Sequence, residues 1–228
     1  MPNKQIIASD SNKMAVIVSS RINEIKDKKA IRNYQKTFHP DELTECGKKL
    51  ILHTKEAKSL KNCTVAEEVS QDYTKRKWID LLSKTTDIKI LEKFVEVADS
   101  NYNIFGNIDC VIEIDGNPIV ILIKSLNSHD FSYLLSHGVS RKDLVRVIID
   151  MWLIEIPDAI IIYENRDSLE SKIYHVVPYN AIINAIREKT KKLWDCIVKE
   201  EIVGRPYQTE FSEECQACNY LKTCWQKG

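Results

Sequence analysis

Gly106-Asn107-Ile108-Asp109-Cys110-Val111-Ile112-Glu113-Ile114, the turn Asp115-Gly116-Asn117-Pro118, and Ile119-Val120-Ile121-Leu122-Ile123-Lys124 form the stretch that decides the fold. Two β-branched apolar runs around an Asp-Gly pair predict a hairpin, because both turn residues tolerate the positive φ that a two-residue connection needs. Asp109 opens the first run and Lys124 closes the second. Alternate residues of a strand share a face, so Leu122 and Lys124 point the same way. A lysine that ends the otherwise wholly apolar run Ile119–Ile123 reads as part of a site, against the ordinary alternative of a solvated strand end. Likewise Asp109 has a plain reading as a turn-proximal acid.

Outward from the hairpin, helix- and strand-like segments alternate. On the N-terminal side, spaced apolar residues over 12–35 predict a helix, and Pro40-Asp41-Glu42 reads as the first turn of a second one that carries Cys46 and runs on through Leu50, Ile51 and Leu52. Val65 to Leu82 predicts a third helix. Ile88 to Val97 is a strand or a short helix, and 101–107 a turn-rich break. On the C-terminal side, Arg141 to Ile154 reads as an aliphatic helix, Ala159–Tyr163 as a buried strand, Lys172–Val177 as another strand, and Pro178 to Glu200 as a long helix. The remainder reads as a loop. The pattern predicts an α/β domain over 88–200, an N-terminal helical region over 1–87, and a C-terminal segment over 201–228.

The chain has 228 residues, with 33 basic and 33 acidic side chains, so the formal net charge is zero. A nucleic-acid surface on such a chain must be a local patch rather than a global field. Short basic groups (Lys48-Lys49; Lys55, Lys58 and Lys61; Lys75-Arg76-Lys77; Arg141-Lys142) supply one, interleaved with Tyr73 and Trp78, whose rings suit base stacking. Each group alone is usually a solvated face. No apolar run approaches the ~18 residues that span a bilayer, and the first residues lack a signal-peptide core, so the expectation is an intracellular, cytoplasmic protein with no membrane partner.

The seven cysteines are an odd number, which in a reducing compartment favours metal ligation over disulfides. Three of them, Cys215, Cys218 and Cys224, form C-x2-C-x5-C at the C-terminus. A four-coordinate site needs a fourth thiolate from elsewhere. Cys46 and Cys63 are the candidates, while Cys110 and Cys196 read as ordinary buried thiols. Four thiolates bind zinc as readily as iron–sulfur. The histidines at 39, 53, 129, 137 and 175 are scattered and read as surface or packed side chains.

Gly106-Asn107-Ile108-Asp109, the hairpin and Ile121-Leu122-Ile123-Lys124 resemble the second and third motifs of the PD-(D/E)XK nucleases of the RecB-like branch. The terminal cysteines and Pro40-Asp41-Glu42-Leu43-Thr44-Glu45-Cys46 resemble the cluster signature of one subgroup, the Cas-four family of CRISPR adaptation proteins. The resemblance covers about residues 38–225. It implies an α/β RecB-like nuclease fold with a mixed central sheet and an N-terminal helical subdomain, in which Cys46, Cys215, Cys218 and Cys224 hold a [4Fe-4S] cluster that staples the two ends of the domain. It also implies a Mg²⁺- or Mn²⁺-dependent exonuclease on single-stranded DNA ends, with Asp109 on the metal and Lys124 positioning the attacking water. The implied setting is CRISPR spacer acquisition or a virus or mobile element, hence a host cytoplasm, with adaptation proteins as partners. Oligomeric state is left open.

The chain also departs from the family. Leu122 stands where the family has an acid, and a leucine cannot bind a hard cation. Val65–Leu82 contains no histidine, and Asp143-Leu144-Val145-Arg146-Val147 replaces a Gln/Tyr motif. Two readings follow. Either Glu113 or Asp143 supplies the missing carboxylate, or the protein survives as a DNA-binding or protein-binding scaffold. Glu113 is roughly 13 Å along a regular strand from Asp109, too far to share an ion, whereas Asp143 is geometrically freer.

Overall fold

The computed structural model describes residues 37–56, 64–201 and 203–226. The helix expected over 12–35 and Cys63 lie outside the described residues. Within them a five-stranded sheet runs in the order β1 (Ile88–Asp99), β2 (Ile104–Ile114), β3 (Asn117–Leu126), β4 (Ala159–Asn165), β5 (Ser171–Val176). Only the β3–β4 pair is parallel. The sheet is therefore mixed, as expected, and the parallel pair requires a long crossover. Two helices supply it: α3 (Ser128–His137) and α4 (Arg141–Ile154).

Ahead of the sheet come a 3-10 turn (Pro40–Glu42) and two helices, α1 (Gly47–Glu56) and α2 (Val65–Ser83). After it come α5 (Asn180–Val198) and the short helices α6 (Glu213–Gln216) and α7 (Leu221–Gln226) in the segment read from sequence as a loop. Ile79 of α2 packs with Cys110, Ile112, Ile121, Ile123 and Ile162 on one side of the sheet, flanked by Trp78 and Leu82. The larger core, on the other side, joins Val111, Val120, Leu122 and Ile161 to Val145, Ile148 and Ile149 of α4, Ile186 and Leu193 of α5 and Leu50 of α1. The hairpin strands are apolar on both faces because helices cover both.

Local chemistry fixes the element ends. Asp115 and Gly116 both have positive φ (50° and 78°), the two-residue turn the Asp-Gly pair predicts. Thr64 and Glu67 form a reciprocal capping box at the start of α2. Asn127 caps α3, a helix the sequence reading passed over, and Gly138 ends it at φ 78°. Ile88–Asp99 is a strand, and β2 begins at Ile104, inside the expected break. Cys196 is half-buried, whereas Cys110 is fully buried.

One expected helix is broken. Instead of running from Pro40 through Leu52, the chain makes a 3-10 turn and restarts at Gly47, with the Cys46 carbonyl accepting the Leu50 N–H at 3.1 Å. The carbonyls of Leu43 and Glu45 turn outward to the Lys189 ammonium of α5, at 2.7 and 2.6 Å. This charge-assisted pairing substitutes for helical acceptance. The 3-10 turn lies directly on Gly106, where an added Cβ would meet Pro40 Cδ at 2.7 Å. A side chain at 106 would push away the turn that carries Asp41.

Candidate functional site at the parting of two strands

The β2–β3 ladder ends at Cys110 and Ile121. Asp109 and Leu122 would form the next pair, but there the strands part. The Asp109 carboxylate fills the gap: its Oδ2 accepts the Ile123 N–H at 2.7 Å, and its Oδ1 takes the Lys75 ammonium at 2.6 Å. Gln71, one turn before Lys75, closes the rest of the parted edge. Its amide donates to the Ile123 carbonyl at 2.7 Å and accepts the Ser125 N–H at 2.8 Å. Farther along α2, Lys77 and the Trp78 indole N–H both reach buried Glu164 of β4, at 2.5 and 2.8 Å. Gln71, Lys75 and Trp78 lie at helical spacing on one side of α2. That face seals the gap, and the buried backbone groups of β3 stay satisfied without a neighbouring strand.

Lys124 pairs elsewhere. Its ammonium lies 3.0 Å from Asp143 Oδ1 of α4 and 3.9 Å from Asp41 Oδ1. The other oxygen of Asp143 accepts the Ser140 hydroxyl and the buried Tyr163 hydroxyl, both at 2.9 Å. Burial works against the charge of Lys124, but Asp143 and Asp41 outweigh it and hold its pKa above the ordinary lysine value. A lysine held in that way stays protonated at neutral pH and does not serve as a base. Glu113 stands near the hairpin turn, 3.8 Å from Lys89. Leu122 is buried in the larger core.

Behind Lys124, Arg146 of α4 is buried among acids. One guanidinium nitrogen meets Asp41 at 2.7 Å, Nε meets Asp150 at 2.7 Å, and a third nitrogen donates to the Asn107 carbonyl. Burial opposes the charge on Asp41, yet Arg146 and Lys124 hold its carboxyl well below the usual range. Asp150 is different: burial wins over Arg146, and its pKa is pushed up to about 7.

That shift sets a pH dependence. Between the unfolded value near 4 and about 7 the folded protein holds the extra proton, so Asp150 erodes stability as pH rises through this window. Asp150→Asn removes the titration. Its Tm relative to the unmodified protein is expected to climb from pH 4 to 7 and level off above, in paired thermal melts. A difference that is flat with pH would contradict the assignment.

The four cysteines Cys46, Cys215, Cys218 and Cys224 line one cavity of about 160 Å³, together with Lys49, Arg205, Tyr207 and Trp225. The Arg205 guanidinium donates to the Cys224 carbonyl at 2.9 and 3.2 Å and lies 4.5 Å over the Trp225 ring. Fully buried Tyr220 comes within 3.3 Å of His53 on α1, and Gly47 sits against Leu193, where an added Cβ would lie 3.0 Å away. Burial raises the Cys218 thiol pKa, with Cys46 and Cys215 adding to the rise. Among the described residues, no three His, Cys, Asp or Glu side chains are drawn together closely enough to hold a metal ion as they stand. The residue types nonetheless suit a thiolate-bound group: the four cysteines line one space together with cationic Lys49 and Arg205, which would offset thiolate charge.

Sequence reading named Asp109, Lys124 and Asp143, and the structure places the last two in contact. It missed Gln71, the pairing of Lys75 with Asp109, and the Arg146–Asp150 pair. The last carries a signal: opposite charges four apart on an otherwise aliphatic helix. Trp78, read as a stacking residue, is half-buried with its N–H on Glu164, whereas Tyr73 is exposed. Among the described residues, no helix is long and apolar enough to cross a membrane.

These elements define a mixed α/β fold shared with exonucleases. No protein-family profile matches the chain, and no curated protein matches it. Solved structures do. The crystal structure of SSO0001 superposes with TM-score 0.57 at 17% identity, over 93% of this chain and 96% of that one. The alkaline exonuclease LHK-Exo from Laribacter hongkongensis in complex with dAMP superposes with TM-score 0.57 at 9% identity, over 73% and 90%. A phage-related exonuclease from Haemophilus somnus gives TM-score 0.52 at 11% identity, over 72% and 96%.

Proposed function

We propose that this protein binds DNA on an exonuclease scaffold without cutting it: a catalytically degenerate, cluster-stapled relative of the Cas-four nucleases that engages single-stranded ends. The observation that carries this reading is the state of the parted strands. Asp109 has both oxygens engaged by the Lys75 ammonium and the Ile123 N–H, the Ile123 carbonyl is taken by Gln71, and Leu122 stands where a second acid would be. A divalent ion there would have to displace an ammonium and would find one carboxylate. Glu113 faces Lys89, and Asp143 is committed to Lys124, Tyr163 and Ser140.

The likeness to exonucleases, one of them seen with dAMP, supports nucleic acid as the ligand. The four cysteines would hold a [4Fe-4S] cluster, a group that here would join the chain ends rather than react. CRISPR adaptation, or a virus or mobile element, is the setting consistent with the motif resemblance, with adaptation proteins as partners. The test is anaerobically purified protein with labelled single strands and Mg²⁺ or Mn²⁺. The expected result is binding that weakens steeply with salt and no cleavage. Metal-dependent cutting that disappears in Asp109→Ala would overturn the reading.

A further inference from the structure

The ladder position opposite Asp109 on β1 belongs to Phe94, and it is irregular. Lys93 pairs with Cys110 and Val95 with Ile108, but Phe94 and Asp109 do not pair. Phe94 has φ 51°, a left-handed conformation that bulky side chains rarely adopt. The result is a large aromatic ring turned out of the sheet, 42% exposed. Unusual backbone held in place beside a site is a reason to look for a function. The helix above treats this position as a pair. Lys75 takes the Asp109 carboxylate, and the next residue, Arg76, lays its guanidinium 5.3 Å over the Phe94 ring. Arg76 also pairs with Asp72 at 2.7 Å. Tyr73, three residues before Arg76 on α2 and turned away from the Gln71–Lys75–Trp78 face, is 67% exposed.

We propose that Phe94, Tyr73 and Arg76 form a stacking platform for unpaired bases of a single strand, beginning at the parting of β2 and β3. The proposal rests on the nucleic-acid-binding reading above and adds to it the residues that recognise the base. Flat rings and a guanidinium accept the face of any base, and exposed Lys93, the neighbour of Phe94 along β1, is a cation suited to the phosphates between bases. An apolar protein partner would be poorly matched to the exposed charges of Arg76 and Lys93 beside the rings.

The experiment measures binding of the full-length, anaerobically purified protein to a single-stranded oligonucleotide, to the same strand with an abasic tract, and to a duplex. Phe94→Ala is expected to weaken single-strand binding about 5- to 150-fold, the loss of one base stack, with the salt slope unchanged. Tyr73→Ala is expected to act in the same direction, and Phe94→Trp to retain affinity. The abasic strand should bind the unmodified protein no better than the intact strand binds Phe94→Ala. A 2-aminopurine in the intact strand should be quenched by the unmodified protein and not by Phe94→Ala. Single-strand affinity unchanged in both alanine variants, or equal loss for intact and abasic strands, would overturn the platform. Failure of the unmodified protein to bind any strand would instead overturn the function proposed above.

Discussion

Above about pH 7, where Asp150 is ionised, Arg146→Ala is expected to lose about 3–5 kcal/mol of stability, because it strips the counter-ion from carboxylates that remain buried. Asp150 is 1% exposed, and its Oδ1 has no hydrogen-bond partner among the described residues, so it depends on the guanidinium at Oδ2. For a chain of this size the loss corresponds to a Tm lower by about 6–20 °C. Arg146→Lys is expected to recover only part of it, since a point charge cannot serve Asp41, Asp150 and the Asn107 carbonyl at once. The informative companion is Arg146→Met with Asp150→Leu, which removes both charges and fills the space. It should regain most of the Tm. If Arg146→Ala melts within about 2 °C of the parent, the guanidinium is not the counter-ion we describe.

The second large effect concerns the cysteine cavity. On the proposal that the cavity holds a [4Fe-4S] cluster, Cys46→Ser and Cys215→Ser are each expected to abolish the visible absorbance of anaerobically prepared protein and to lower Tm by roughly 10 °C or more, since a group bound only by the folded chain stabilises it. Cys196→Ser, at a half-buried thiol away from the cavity, should retain the absorbance. Zinc in place of iron would leave a colourless protein that still loses stability in the same two variants, and elemental analysis separates the cases. Cys46→Ser carries the most information because it comes from the other end of the sequence. A structural link between the ends predicts that it weakens the docking of α7 as much as Cys215→Ser does.

Lys75, Lys124 and Arg146 each neutralise carboxylates around the parted strands. Asp109 is then a strand-bridging acceptor, and its removal would leave both the Ile123 N–H and the Lys75 ammonium without their partner.

Much of the fold was legible because short-range rules act alone there. The Asp115-Gly116 turn, the aliphatic Arg141–Ile154 helix and the buried Ala159–Tyr163 strand follow from φ preference, period and β-branching. The helix Ser128–His137 was passed over: Asn127 at its start and Gly138 after its end mark it, but its polar surface hid it. The break between Pro40 and Gly47 was not legible, because its cause is Lys189, nearly 150 residues away.

By itself the sequence determined that three thiols, Cys215, Cys218 and Cys224, cluster at C-x2-C-x5-C spacing and that Asp109 and Lys124 sit on neighbouring strands. Spacing and the Asp-Gly turn suffice for both. Only the tertiary structure decided who partners whom: Lys75 rather than Lys124 on Asp109, Asp143 on Lys124, Arg146 between Asp41 and Asp150. Those choices depend on which helix covers which side of the sheet, and ion pairing at 3 Å is set by that packing and not by separation along the chain.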